Sequence, residues 1–192
     1  CITLAALIGM GVFTISRMHK VYDAASYCAV NSLPSILALQ KAIVAFDSLT
    51  EHTYQHVLSN DDAAIAAIDK QISDDRGNLD KALKEYEALV SDDKDKQMLA
   101  DDRAAMAEEA AARDKALVLS RQNKDSEAHD IIMKEVKPLA DRLTGLLNAH
   151  MAHNVELSDK GIKDAGAVNR QAMIISLVVI VLVALAIILL TL

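Results

Sequence analysis

Apolar residues recur every three or four positions through most of this chain, and this spacing is typical of an α-helix that buries one face. The clearest stripe lies in residues 62–90 and consists of Ile65, Ile68, Ile72, Leu79 and Tyr86. Residues 132–146 repeat the spacing, and residues 33–58 repeat it at Leu33, Leu37, Val44, Tyr54 and Leu58. Residues 94–123 have a weaker stripe, with much alanine between its larger members. The pattern predicts an all-α chain.

Three short polar breaks divide the helical pattern into four parts. They are SNDD at residues 59–62, SDDKD at 91–95 and NKDSE at 123–127. Each offers a Ser, Asn or Asp as a helix N-cap, followed by acidic residues that suit a helix N-terminus. The breaks predict four helices over residues 17–59, 62–90, 94–123 and 126–170. Because short turns make consecutive helices antiparallel, we expect an up-down-up-down four-helix bundle.

Both ends of the chain are uncharged, unlike the part between them. Residues 173–192 hold no charge over roughly 20 positions, enough to cross the hydrocarbon core of a bilayer. Residues 1–16 are also uncharged and lack an initiator Met. We therefore expect transmembrane helix 1 over 1–16, truncated at its start, the bundle over 17–170, and transmembrane helix 2 over 171–192. A signal peptide is the alternative for 1–16, but no small-residue cleavage site follows it.

The composition supports helices and excludes one class of partner. The 192 residues include only 6 Gly and 2 Pro, and the formal net charge is -7. A chain this acidic cannot assemble the basic patch that nucleic-acid binding requires. No phosphate loop, Ser–His–Asp arrangement or other catalytic signature is present, so we predict neither an enzyme nor a cofactor.

Two histidine pairs stand at helical spacing. His52 and His56 are four residues apart, and His150 and His153 are three apart. No Cys, Asp or Glu joins either pair at the spacing of metal ligands, so we predict no metal site and interpret the histidines as polar decoration of helix surfaces. We interpret Cys28 as a small buried residue, the alternative being a cross-link to Cys28 of a second chain.

The residues on either side of the two middle helices carry a family resemblance. SRMHKVYDAASYCAVNSLPSILALQKAIVAFDSLTEHTYQHVLSND follows the first uncharged stretch, and LLNAHMAHNVELSDKGIKDAGAVNRQAM precedes the second. This order resembles the sensory half of bacterial methyl-accepting chemotaxis proteins and, more narrowly, their four-helix-bundle periplasmic ligand-binding domain. The whole string is similar to receptors for TCA-cycle organic acids.

The resemblance implies a transmembrane chemoreceptor in the bacterial inner membrane, with its sensor domain in the periplasm. It further implies a small carboxylate ligand of the malate or citrate type and a homodimer. A helix displacement would then control a cytoplasmic histidine kinase with its adaptor. Two alternatives stay open: the same bundle as the front of a sensor histidine kinase or cyclase, and a ligand-free, membrane-anchored helical spacer.

Arginines are the first candidates for holding a carboxylate, because the guanidinium binds it through two parallel hydrogen bonds. In the aspartate-sensing members of the family, arginines of the first helix and a Thr of the fourth hold the ligand across the dimer interface. Residues 21–60 here contain no Arg, and Lys41 is their only Lys. We therefore expect the ligand site inside one bundle.

Three arginines reach a similar depth in the predicted bundle at about 1.5 Å of rise per residue, namely Arg76, Arg113 and Arg142. Arg113 continues the seven-residue spacing of Leu99 and Met106, which predicts that its side chain points inward. At the matching depth on the first helix, the hydroxyls that complete the predicted site belong to Thr50, Thr53 and Tyr54.

The alternative is that these arginines are solvated and paired with nearby carboxylates. The candidate partners are Asp75, Glu109 and Asp141, and surface pairs of this kind contribute little. Arg103 and Arg121 are the substitutes if the helices pack in another register.

Pro138 interrupts the last helical segment four residues before Arg142. Proline removes a backbone donor and crowds the carbonyl of Lys134, so we expect helix four to bend there. We expect the bend and the arginines to belong to one pocket, the alternative being a kink on an exposed face.

Overall fold

The computed structural model describes the backbone of residues 2–191 and the side chains of residues 8–23 and 26–189. Within these residues all regular structure is helical, with no strand. The elements are α1 (Ile2–Tyr27), a π-helical turn (Cys28–Ser32), α2 (Leu33–Leu58), α3 (Asp62–Glu87), α4 (Asp93–Ser120), α5 (Asp125–Ile131), a second π-helical turn (Ile132–Val136) and α6 (Lys137–Thr191). The predicted all-α fold class, a four-helix bundle, is confirmed.

The three turns lie where the polar breaks predicted them. The Asp61 carboxylate accepts a hydrogen bond from the Ala63 amide at 2.9 Å, and Asp92 accepts one from the Asp95 amide at 2.8 Å. Both aspartates therefore act as N-caps that satisfy an amide without a partner inside the helix. The third turn depends on Asn123, whose φ of 56° lies in the left-handed region.

Interhelical ion pairs show that neighbouring helices are antiparallel. Residue numbers rise along one helix while those of their partners fall along the next. The pairs between α2 and α3 are Lys41 with Glu85 and His52 with Asp75. Those between α3 and α4 are Asp69 with Arg121, Arg76 with Asp114 and Glu87 with Arg103. Those between α4 and α6 are Asp102 with His150 and Glu108 with Arg142.

The bundle interior contains two apolar clusters. The larger draws on α2, α3, α4 and α6, and its fully buried members include Leu39, Leu49, Leu83, Leu143 and Leu147. The smaller is built around α4 and the second π turn and consists of Val57, Ala112, Ala116, Ala128, Ile132 and Val136. Removing this apolar surface from water is the main force that holds the helices together.

The apolar stripe predicted over residues 33–58 lies mostly on the exposed face of α2, so the prediction of its buried face was wrong. Leu37 and Val44 are 53% and 55% exposed, whereas Leu39, Phe46 and Leu49 face the interior. Both faces of α2 carry apolar residues at helical spacing, so periodicity could not distinguish the buried face from the exposed one.

Both prolines of the chain follow a π-helical turn at the same offset. Cys28–Ser32 ends two residues before Pro34, and Ile132–Val136 ends two residues before Pro138. In these turns Leu33 donates to the carbonyl of Cys28, and Lys137 donates to that of Ile132. The wider turn gives the proline ring room that an α-turn denies it. The irregularity predicted at Pro138 is therefore a π turn.

The chain divides into two compact units, residues 34–155 and residues 1–33 together with 156–192. The helical segments Ile8–Leu58 and Asp125–Leu189 each contain a stretch long and apolar enough to cross a membrane, by length and composition. The side chains of residues 1–7, in the predicted first span, lie outside the described residues. The boundaries 1–16, 17–170 and 171–192 stay predictions.

Cys28 lies in the second of these units. Its side chain is half-buried, and Sγ lies 3.0 Å from the hydroxyl of Ser158. The interpretation of Cys28 as a small buried residue was therefore wrong, because the residue sits at the edge of a π turn beside a polar partner.

Candidate functional site

Arg113 and Glu109 form an ion pair inside the bundle. Both lie on α4 one turn apart, with the Arg113 Nη1 atom 3.2 Å from the Glu109 Oε2 atom. Arg113 is 2% exposed and Glu109 is 1% exposed. The small side chains of Ala105 and Ala112, also buried on α4, leave room for two long polar ones. The inward orientation predicted for Arg113 is confirmed.

This pair is poorly satisfied by hydrogen bonds. The Nε and Nη1 atoms of Arg113 are buried and lack a hydrogen-bond partner among the described residues, as does Oε2 of Glu109. A guanidinium carries five N–H donors, and leaving them unpaired in an interior is costly. The site therefore holds donors that a bound carboxylate could accept from.

Burial disturbs the protonation equilibria of both groups. Burial lowers the pKa of Arg113 against the opposing effect of Glu109. Burial also raises the pKa of Glu109, although the charges of Arg113 and Arg76 act in the other direction. Separating the two groups would therefore leave Glu109 a poor carrier of negative charge.

A groove between α3 and α4 contains Arg76 and Asp114, whose charges act on the pair of Arg113 and Glu109. It encloses about 440 Å³ and is lined by Asp69, Ile72, Ser73, Arg76, Asp114, Val118 and Arg121. Arg76 pairs with Asp114 across it, and Arg121 binds Asp69 with a 2.5 Å contact. The groove thus presents two guanidinium groups, each held by one carboxylate.

The structure brings two of the three predicted arginines to one level. Arg76 is bound to Asp114, the residue that follows Arg113, and its buried Nε atom has no hydrogen-bond partner among the described residues. Arg142 is instead an exterior residue, 54% exposed and paired with Glu108 at 2.6 Å. Its place on the helix surface separates it from the interior pair.

The predicted hydroxyl groups are committed to their own helix. Thr50 donates to the carbonyl of Phe46 at 2.9 Å, and Thr53 donates to that of Leu49 at 2.7 Å. Their remaining capacity is to accept, which does not suit a carboxylate. Tyr54 is half-buried and packs against the smaller apolar cluster.

The sequence matches the model of a protein family over residues 1–168, and that family is described as a four helix bundle sensory module for signal transduction. The chain belongs to this family. The resemblance to the sensory half of methyl-accepting chemotaxis proteins is therefore confirmed, and the chain is a sensory module of a signal-transduction receptor. No curated protein sequence matches the chain.

The sensory module contains a second buried polar cluster that the sequence analysis missed. His150 bridges two aspartates, with Nε2 lying 2.7 Å from Asp95 and Nδ1 lying 2.6 Å from Asp102. The Tyr86 hydroxyl donates to Asp95 and accepts a hydrogen bond from Asn154 at 2.6 Å. All five side chains are at most 1% exposed, so they form one interior network between α3, α4 and α6.

The network favours the charged states of His150 and Asp95. Burial alone would lower the pKa of His150, but its hydrogen bonds to Asp102 and Asp95 raise the pKa above the ordinary value. Burial would likewise raise the pKa of Asp95, but hydrogen bonds from Tyr86, His150 and Ser91 lower it. The imidazolium and the two carboxylates therefore stabilise one another inside the sensory module.

The interpretation of the histidines as surface decoration was wrong for three of the four. His56, His150 and His153 are buried, while His52 pairs with Asp75 on α3. The His56 Nδ1 atom lies 3.0 Å from the Ser120 hydroxyl, and its Nε2 atom lies 3.3 Å from Asp69. The i, i+4 spacing of His52 and His56 gave no sign of this, because the partners lie on other helices.

The cluster around His56 brings together a Ser, a His and an Asp that no sequence signature connects. Ser120 is 1% exposed, and its hydroxyl donates to the carbonyl of His56 at 3.3 Å. Burial, the largest cause, lowers the pKa of His56. The cluster therefore links α2, α3 and α4 of the sensory module around a neutral ring.

Proposed function

We propose that this sensory module is the ligand-binding region of a transmembrane chemoreceptor for small di- or tricarboxylates of the malate and citrate type. The receptor would lie in the bacterial inner membrane as a homodimer, with the bundle in the periplasm. Ligand binding would displace a helix and so control a cytoplasmic chemotaxis histidine kinase and its adaptor. Family membership supports the sensory role, and the interior of the bundle supports the ligand class.

The observation that carries the ligand class is the state of Arg113. Its guanidinium is 2% exposed, and within the described part of the chain it pairs with one carboxylate and leaves buried N–H donors without acceptors. A planar carboxylate that meets two of these donors replaces an unsatisfied interior group with a bidentate ion pair. A second carboxylate of the same ligand would have Arg76 available, if the ligand displaces Asp114.

The proposed response begins on α4. Seating a ligand beside Arg113 requires the interior to open by the thickness of a carboxylate, because close-packed helices have no spare room. The second π turn and α6 pack against α4 through Ile132, Val136 and the network of His150. A displacement of α4 would therefore act on α6, which is a single helix from Lys137 to Thr191.

Calorimetry on the purified chain in detergent micelles tests the proposal, with malate, citrate and succinate as probes. We expect at least one of the three acids to bind. Arg113→Lys should weaken that binding by at least about tenfold, since a lost hydrogen bond to a charged group removes about 1.5–3 kcal/mol. Arg103→Lys is the matched control, because Arg103 lies on the same helix and pairs with Glu87 at the surface.

If none of the three acids binds, the ligand class is wrong and a ligand-free, membrane-anchored spacer becomes the better description. If an acid binds equally well to the Arg113→Lys and Arg103→Lys variants, the ligand class survives but the site lies elsewhere.

A further inference from the structure

We propose that Glu109 is an internal counter-ion that the carboxylate of an incoming ligand displaces from Arg113, and that each binding event transfers one proton from solvent to Glu109. The inference rests on the proposed function, because it concerns the same site. It adds a regulatory property, namely that acidity of the surroundings strengthens ligand binding.

The geometry makes Glu109 a weak competitor for Arg113. The two side chains touch through Nη1 and Oε2 at 3.2 Å, but the contact is not a well-aligned hydrogen bond, and neither atom has a hydrogen-bond partner among the side chains that the structure describes. A carboxylate four residues away on the same helix approaches the guanidinium under the constraint of its own backbone. A free ligand has no such constraint and can align both oxygens with the fork of donors, which is the stronger arrangement.

Among the described side chains, the remaining cation that acts on a displaced Glu109 is Arg76, which already has a partner. The charged groups that act on it are Arg113 and Asp114 from α4 and Arg76 from α3. Arg76 is already bound by Asp114, and Asp114 itself disfavours a second negative charge. No ionisable group of α2, the second π turn or α6, within the described side chains, contributes to the shift.

A buried carboxylate without a cation binds a proton. Glu109 is 1% exposed, and burial already raises its pKa with Arg113 still beside it. Losing Arg113 to the ligand raises that pKa further, because desolvation is then opposed only by Arg76. The step is a simple proton balance in which a carboxylate and one proton from solvent give a neutral carboxylic acid.

The consequence is a linkage between ligand affinity and pH. Where Glu109 is ionised in the free protein and protonated in the complex, the dissociation constant of the ligand falls by up to about tenfold for each unit by which pH falls. Outside that range the affinity is independent of pH.

The test measures proton uptake on the unmodified chain in detergent micelles, titrated with malate near pH 7 in phosphate and in Tris. These buffers absorb different amounts of heat when they supply a proton, so the difference between the two binding enthalpies gives the number of protons taken up. We expect about one proton per malate bound. Since no variant is required, a folding defect cannot obscure this result.

Two variants assign the proton to a residue. Glu109→Gln should abolish the uptake and bind malate at least as tightly as the unmodified chain at neutral pH. Glu135→Gln is the matched control, because Glu135 also pairs with a cation of α4, Lys115, but is 40% exposed. This control should keep the full uptake.

The outcomes separate the inference from the function on which it rests. Malate binding without proton uptake, or with uptake that Glu109→Gln leaves unchanged, overturns the inference and leaves the proposed function standing. If neither the unmodified chain nor Glu109→Gln binds malate, citrate or succinate, the proposed function fails and the inference fails with it.

Discussion

The Nδ1 atom of His150 lies 2.6 Å from Oδ2 of Asp102, and both side chains are closed off from solvent. Because Nε2 meets Asp95 on the other side of the ring, a single imidazolium is shared by two carboxylates of α4. This arrangement ties α6 to α4 by charge as well as by apolar packing. Removing the ring would leave two buried anions without their shared cation.

Replacement of His150 should therefore be strongly destabilising. We expect His150→Gln to lower the free energy of unfolding by about 3–5 kcal/mol, the usual cost of leaving a buried charge uncompensated. Denaturant unfolding in detergent, followed by circular dichroism, measures the loss. His129→Gln is the control, because His129 is an exposed residue of α5. A loss no larger than that of the control would show that the network does not stabilise the bundle.

The contribution of this network should depend on pH in a defined direction. The raised pKa of His150 means that its contribution is complete below 6.5 and is lost as pH rises through the higher folded value. The lowered pKa of Asp95 means that its contribution is complete above 3.8 and is lost as pH falls through the lower folded value. The stability difference between the unmodified chain and His150→Gln should therefore be largest between pH 3.8 and pH 6.5.

His56 provides the opposite case within the same bundle. Its lowered pKa means that its contribution is complete above 6.5 and is lost as pH falls. Unfolding of His56→Gln across the same pH series should thus approach that of the unmodified chain on the acid side, whereas His150→Gln should approach it on the alkaline side. Parallel trends for the two variants would contradict the assignment of one charged and one neutral ring.

The interior and exterior arginines should differ sharply in their effect on stability. We expect Arg113→Met to cost about 3–5 kcal/mol, because Glu109 is left buried without a cation. Arg142→Met should cost at most about 1 kcal/mol, because its pair with Glu108 is more than half exposed. The double replacement Arg113→Met with Glu109→Leu should recover most of the loss in denaturant unfolding. A double variant no better than Arg113→Met would mean that the pair itself stabilises the bundle.

Replacement of Pro138 should be well tolerated. Buried residues within and after the second π turn hold their positions in the core, namely Ile132 and Val136 at its two ends and Leu143 and Leu147 beyond it. We expect them to keep the π turn in Pro138→Ala, with stability changed by no more than about 1 kcal/mol. Pro34→Ala is the natural companion variant. A loss well beyond this range would show that the proline ring, rather than the core, maintains the turn.

Local signals in the sequence were enough to locate most of the fold. The caps Asp61 and Asp92 act within one helical turn, so their positions mark the breaks directly. Arg113 was also predictable, since seven-residue spacing from Leu99 and Met106 places it on the buried face of α4 even though its side chain is charged. Its role as a ligand residue stays a prediction.

Features that depend on partners from other helices were not predictable in the same way. The spacing of His150 and His153 contains nothing about Asp95 and Asp102, which lie about fifty residues earlier and approach only after the bundle has formed. The first π turn was not predicted, because a proline at position 34, six residues beyond Cys28, is not by itself a signal for a π turn. Register between helices decides such contacts, and one sequence carries little information about register.

The π turn at Ile132–Val136 also sets the rotational register between α5 and α6. Such a turn holds about one residue more than an α-turn, and one residue corresponds to about 100° of rotation at 3.6 residues per turn. A wheel drawn through residues 125–155 as one uniform helix would therefore misalign Ala128 with Leu143 and Leu147, which all face the core. Deleting one residue within the π turn would convert it to a regular α-turn and would leave Ala128, Leu143 and Leu147 facing the core. Deleting one residue within α6 would instead rotate the apolar face of the following residues towards solvent.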